Sequence, residues 1–177
     1  MTLSRRKGRA FILMIFIIIN TYLAGILKAG DCDPRPFWTN SEIKNIGFYC
    51  PVEYGNPSGH SWFSTVLGFG FILDFYGVGK NYKNLIVALG LIIFVPMSRM
   101  YLGAHSLNQI LEGLLLGSTL NILYLFYLKE KIQMFLVSFN TNRKWKYMIF
   151  GLHFLCLLPY FMNMGDGLPK KWIKNIN

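Results

Sequence analysis

The sequence predicts an all-α protein, a polytopic membrane bundle of about five transmembrane helices forming one domain over residues 1–177. Two compositional observations and one of placement predict it. The chain is 53% hydrophobic and 16% aromatic over 177 residues, too apolar for a soluble domain of this size. Its apolar residues are gathered into blocks nearly free of charge. Its basic residues are gathered into three segments that a five-helix count puts on one side of the bundle. A membrane-crossing helix needs about 17–25 predominantly apolar residues, and the blocks can be taken in order against that length.

Ala10–Leu27 carries no charge and is the first helix, expected to end near Lys28. A basic start before an apolar core also resembles a secretory signal. The core is long for one and no small-x-small cleavage site follows, so a retained helix is expected. Lys28–Gly59 is the longest polar segment, and prolines on both sides of Arg35 keep its backbone extended there. Phe37, Trp38, Tyr49 and Tyr54 fit an interfacial aromatic belt. Lys28 and Arg35, taken singly, read as ordinary snorkelling cations. Cys32 and Cys50 share this loop, so a disulfide between them is open, whereas Cys156 reads as a small packing residue within the fifth helix.

Pro57-Ser58-Gly59-His60 stands immediately before the second block, Ser61–Gly77, whose single charge is Asp74. Ser and Gly ahead of an apolar run mark a helix start. A helix start has unpaired N–H groups and the positive end of a dipole, which suits an anion such as phosphate. His60 would sit beside that anion with a pKa fit for proton transfer. Leu85–Met97 is short and must extend into its flanks or tilt, with its end expected at Pro96-Met97-Ser98-Arg99 and a connection over 100–104. Leu107–Leu128 contains only Glu112, and its Gly113 and Gly117 make a small-xxx-small face for close packing. Tyr147–Met164 is the fifth block, with His153 expected to be structural.

The net charge of +10 invites a nucleic-acid reading, which the placement of the charges excludes. Arg5, Arg6, Lys7 and Arg9 precede the first helix; Lys80 and Lys83 lie between the second and third; Lys129, Lys131, Arg143, Lys144 and Lys146 lie between the fourth and fifth. The positive-inside rule makes that side cytoplasmic, with the N-terminus inside and the opposite loops lumenal. Lys28, Arg35, His60, Arg99 and His105 then converge on the lumenal face. Three cations suit a phosphate carrying two charges. Two histidines suit a two-step displacement, one attacking phosphorus while the other protonates the leaving oxygen.

Lys28-x6-Arg35-Pro36, Pro57-Ser58-Gly59-His60 and Ser98-Arg99-x5-His105, in that order, resemble the three signature boxes of the type 2 phosphatidic acid phosphatase superfamily, with a motif core over 28–109. That superfamily includes lipid phosphate phosphatases, sphingosine-phosphate phosphatases, dolichyl diphosphate phosphatases, glucose-6-phosphatases and soluble vanadium haloperoxidases. The resemblance implies a membrane phosphatase acting through a phosphohistidine. It makes Lys28, Arg35 and Arg99 the phosphate clamp, Ser58 and the Gly59 N–H further phosphate donors, His60 the general acid and His105 the nucleophile. It implies no metal and no cofactor. It makes a phosphorylated membrane lipid the expected substrate, with a polyprenyl diphosphate or sugar phosphate as runner-up, and the endoplasmic reticulum or another endomembrane the expected compartment.

The sequence departs from the commoner pattern at Gln109, where the superfamily usually has Asp four residues after the nucleophile. The glucose-6-phosphatase and dolichyl diphosphate phosphatase branches resemble this chain in having Gln there. On a helix, Gln109 would lie beside His105 and hold its tautomer, and Gln109→Asp is expected to be active and to restore a charge-assisted bond. Many members also have two more helices before the first box, so this is either a minimal member or one whose bundle a second copy or another chain completes. The competing class is a structural subunit that kept the fold without the activity. Five converging polar groups at a membrane surface weigh against it.

Overall fold

The computed structural model describes residues 2–47, 51, 53–75, 82–132 and the single positions 134, 147, 151 and 154, and among them every regular element is helical. Among the described residues, three helical stretches are long and apolar enough to cross a membrane, over Ile12–Thr39, Tyr82–Tyr101 and Leu107–Ile132. The second expected span is a helix seen over Gly59–Phe75. Of the fifth, only Tyr147, Gly151 and Phe154 are described; His153 and Cys156 lie outside the described residues, as do Tyr49, Cys50, Lys80, Arg143, Lys144 and Lys146.

Helix α1 spans Thr2–Asp31. It stops where Cys32 takes a left-handed backbone, φ 49°, and Pro34 bars Asp33 from helical geometry. The Cys32 thiol is free and lies 3.2 Å from the Ala29 carbonyl. A four-residue helix, α2 (Pro36–Thr39), follows with proline in its first turn. It turns Phe37 and Trp38 inward, and both are buried. Trp38 meets Tyr54 edge-on at 5.9 Å. These two rings are therefore packing under the polar loop rather than part of an interfacial belt, because Pro36 starts a helix that aims them into the protein.

Helix α3 (Gly59–Thr65) passes directly into a π-helical stretch, Val66–Phe75. Trp62 and Val66 pack with Ile12, Leu13 and Phe16 of α1 and with Tyr124, and Phe16 stacks on Tyr124 at 4.1 Å. A buried amide fastens this core: Asn20 donates to the Phe16 carbonyl at 2.8 Å and accepts from the Trp62 indole N–H at 2.8 Å. In a setting without water such side-chain bonds hold helices together.

Helix α4 runs Tyr82–Tyr101, extended into both flanks as its short apolar block requires. It does not end at Pro96–Arg99. Pro96 is buried inside it and the helix continues to Tyr101, because neighbouring helices shield the interruption. Its outer face shows Ile86 and Phe94 to the surroundings. Helix α5 (Leu107–Leu123) continues as a π-helical turn, Tyr124–Leu128. Gly113 and Gly117 lie against α3 as expected. A Cβ at Gly113 would fall 2.5 Å from the Ser58 carbonyl oxygen, and one at Gly117 would fall 2.8 Å from that of Trp62. This contact brings the start of α3 against the first turns of α5.

Candidate active site

The ends of α1 and α4, the starts of α3 and α5, and the turns between them meet at one end of the bundle. Arg35 is the centre of this cluster, 2% exposed and fully engaged. Its Nε donates to the Glu53 carbonyl at 2.8 Å, one terminal nitrogen donates to the Glu53 carboxylate at 3.1 Å, and the other donates to the Ala104 carbonyl at 3.0 Å. That last nitrogen also lies 3.1 Å from His105 Nε2. Lys28 pairs with the same Glu53 oxygen at 2.9 Å. Its side chain is only 13% exposed, so it is turned inward rather than snorkelling.

His105 is buried and precedes the helix rather than lying on it. Ser106 is the N-cap of α5 and Gln109 completes a capping box: the Gln109 N–H donates to Ser106 Oγ at 3.4 Å, and Gln109 Oε1 accepts from the Ser106 N–H at 3.2 Å. The same Oε1 lies 3.3 Å from His105 Nδ1. The expected neighbourhood of Gln109 and His105 is present, but a cap geometry creates it in place of a helical i, i+4 spacing. A Gln109 oxygen on Nδ1 and an Arg35 donor on Nε2 together leave the ring neutral, with its proton on Nδ1 and its lone pair on Nε2.

Electrostatics agree. Burial first, then the charges of Arg35 and Lys28, push the pKa of His105 down to about 3, with the Gln109 hydrogen bond opposing. His60 is exposed at the first turn of α3, and its pKa is also lowered, by partial desolvation, then by Arg99 and Lys28, with Glu53 opposing. Burial alone would raise the Glu53 carboxyl. Lys28 and then Arg35 overcome that and hold it below the usual carboxylate range. The cluster is a field of positive charge that disfavours the charged form of both imidazoles, with the Glu53 carboxylate bridging Lys28 and Arg35.

The remaining predicted residues fall around this cluster. Arg99 is half-buried, and its Nε is buried with no hydrogen-bond partner among the described residues. Gly59 lies beside Lys28: a Cβ there would be 3.8 Å from the ammonium. Ser58 is fully buried and caps α3. Its Oγ accepts from the Ser61 hydroxyl at 2.9 Å, and its N–H donates to the Gln109 carbonyl at 3.0 Å. The backbone N–H of Ser58 therefore ties the two helix starts together.

Sequence reasoning missed three residues here. Glu53 bridges Lys28 and Arg35. Asp33 accepts from Gln109 Nε2 at 2.6 Å. Asn56 donates to Glu112 at 2.7 Å and to Asp31, joining α5 to the end of α1. The signal for Glu53 was available, since it is the one carboxylate between Glu42 and the His60 motif in a loop shared with Lys28, Arg35 and Lys44.

Comparisons with known proteins bear on this geometry. A family model described as the PAP2 superfamily matches residues 9–133. The lipid phosphate phosphatase delta of Arabidopsis thaliana is 32% identical over 162 residues, covering 82% of this chain and 36% of that protein. The dolichyldiphosphatase of Saccharomyces cerevisiae is 32% identical over 118 residues, covering 62% of this chain and 46% of that protein. The sphingosine-1-phosphate phosphatase 1 of Rattus norvegicus is 31% identical over 151 residues, covering 81% and 32% respectively. The chain thus spans 32–46% of the length of these relatives. No solved structure matches it.

Proposed function

Because the chain belongs to the PAP2 superfamily, we propose that it is a membrane phosphatase that hydrolyses a lipid phosphate, a monoester or a diphosphate, through a phosphohistidine. The observation that carries this reading is His105: a buried imidazole held neutral, its Nε2 lone pair 3.1 Å from an Arg35 nitrogen. Arg35 moves from that lone pair to a phosphoryl oxygen when substrate arrives. Lys28 and Arg99 take the other oxygens, the latter with an Nε that has no other partner. Nε2 then attacks phosphorus in line, the P–O bond to the alcohol breaks, and His60 gives its proton to the departing oxygen. His60 next takes a proton from water, which attacks phosphorus and frees phosphate and His105. The three cations stabilise charge that grows on the phosphoryl oxygens, and the negative charge of the bound phosphate raises His60 toward the protonated state its role needs.

The site faces the lumen in this reading, because Arg5, Arg6, Lys7, Arg9, Lys83, Lys129 and Lys131 sit toward the opposite side of the topology. Glycosylation tags placed in the loop over 40–47 are expected to be modified, and tags at the N-terminus are not. Activity is tested by phosphate release from a detergent-solubilised panel of phosphatidic acid, sphingosine phosphate and a polyprenyl diphosphate, with the relatives' names setting the panel. Turnover of at least one lipid, inhibited by vanadate and absent in His105→Ala, is expected. Equal turnover by His105→Ala would overturn the mechanism.

A further inference from the structure

The Gln109 amide is buried, and all four of its hydrogen-bonding positions are filled. Nε2 donates to Asp33 Oδ2 at 2.6 Å and to the Pro34 carbonyl at 2.8 Å. Oε1 accepts from the Ser106 N–H at 3.2 Å and faces His105 Nδ1 at 3.3 Å. The amide cannot be turned over. A flipped group would set its NH2 against the Ser106 N–H and its oxygen against a carboxylate and a carbonyl. Gly55 closes the remaining side, where a Cβ would fall 2.5 Å from Nε2. Asp33 is itself fixed, since its carbonyl accepts from the Gly55 N–H at 2.8 Å.

We propose that Asp33 is a positioning residue that makes Gln109 act on His105 as a carboxylate would. The negative charge that the helix lacks at 109 is supplied from the loop between Lys28 and Arg35, and it reaches the ring through the amide. Asp33 draws on the Gln109 N–H, which strengthens the acceptor at the other end of the same amide. Arg35 helps hold the ring while the site is empty. Once an anion draws Arg35 away, the Asp33–Gln109 pair alone keeps the proton on Nδ1 and steadies the positive charge that the phosphohistidine carries. The kinetic part of this inference rests on the phosphatase reading; the hydrogen-bonding part does not.

A carboxylate at 109 would confront Asp33 at close range, so the restoration expected from sequence for Gln109→Asp is not expected while Asp33 is present. The isosteric swap tests the arrangement. Asp33→Ala is expected to lower kcat about three- to tenfold with KM within about twofold, as the loss of one orienting hydrogen bond implies. Gln109→Glu alone is expected to lose more than about tenfold at neutral pH, and Asp33→Asn with Gln109→Glu to recover about threefold or more of that loss but not all of it, because an oxygen at 109 still faces the Pro34 carbonyl. Failure of the swap to improve on Gln109→Glu overturns the proposal, because a loop anchor would not care where the charge sits. A second measurement needs no turnover. In protein labelled with 15N-histidine, the His105 Nδ1 proton is expected to be protected from exchange, and to exchange at least about tenfold faster in Asp33→Ala. Unchanged exchange overturns the proposal. Faster exchange in a chain that turns over no phosphate upholds Asp33 and overturns the phosphatase reading.

Discussion

Helices α3 and α5 begin alike and carry their histidines differently. Each has a serine N-cap with an extended backbone, and each cap oxygen accepts from the N–H three residues on. The two starts are bonded to each other, Ser58 N–H to Gln109 carbonyl. His60 lies one residue inside its helix and is exposed, whereas His105 lies one residue before its cap and is buried. Placement relative to the cap decides access. A side chain in the first turn projects from the helix end and can exchange protons with water and a leaving group. A side chain before the cap is folded back under it, where the residue completing the capping box can reach the ring. The same local chemistry thus gives an exposed imidazole in one place and a buried, fixed one in the other, which in the proposed mechanism are the proton carrier and the nucleophile.

The sharpest way to break the comparison is to remove the fixed member. His105→Ala is expected to abolish turnover while leaving the protein folded, measured as phosphate release against a background of uncatalysed hydrolysis. Removing the carrier is expected to cost about 10²–10⁴-fold, the range for general acid–base catalysis. With p-nitrophenyl phosphate, whose leaving group needs no proton, that loss should nearly vanish in the burst that forms the phosphohistidine and persist in the hydrolysis step that follows; an equal loss of the burst rate on both substrates would make His60 a clamp residue. Arg99→Lys is expected to cost about tenfold or more, since one ammonium does not replace a planar guanidinium and charged hydrogen bonds are worth about 1.5–3 kcal/mol.

The pH profile separates the two rings without mutation. His60 must be protonated in the free enzyme and its pKa is lowered, so kcat/KM is expected to fall as pH rises through a value below the ordinary histidine range. His105 must be neutral and its pKa is about 3, so the acid limb should appear only near that pH, after allowance for the substrate's own ionisation. The smallest effect is at the cap: Ser106→Ala should cost about 1 kcal/mol of stability. It is read as a lowered Tm in detergent, with a smaller loss of kcat because Gln109 keeps its Asp33 and Pro34 contacts.

The sequence carried the gross architecture because lipid imposes it: charge-free blocks mark spans, and the Gly113/Gly117 spacing marks a close contact. It let the clustered cations and histidines be picked out because the spacing within each motif is local and their chemistry is unusual for apolar surroundings. It did not carry Asp33, Glu53 or Asn56, whose partners lie 76, 25 and 56 residues away, for Gln109, Lys28 and Glu112 respectively. An acid in a polar loop looks the same whether it faces water or a buried amide. Phe37 and Trp38 misled for a related reason. Aromatic residues beside a membrane span look interfacial until the turn at Pro36 shows where they point.

The Arg35–His105 contact has a pharmacological consequence. An electrophile seeking the resting protein meets a nucleophile whose lone pair already faces a guanidinium 3.1 Å away, while the other imidazole stands open. Histidine-directed reagents such as diethyl pyrocarbonate should therefore label His60 first and spare His105. Only a compound that first gives Arg35 an anion of its own is expected to expose the second ring, so on the proposed mechanism a covalent inhibitor needs an anionic head as its key and a reactive phosphorus behind it.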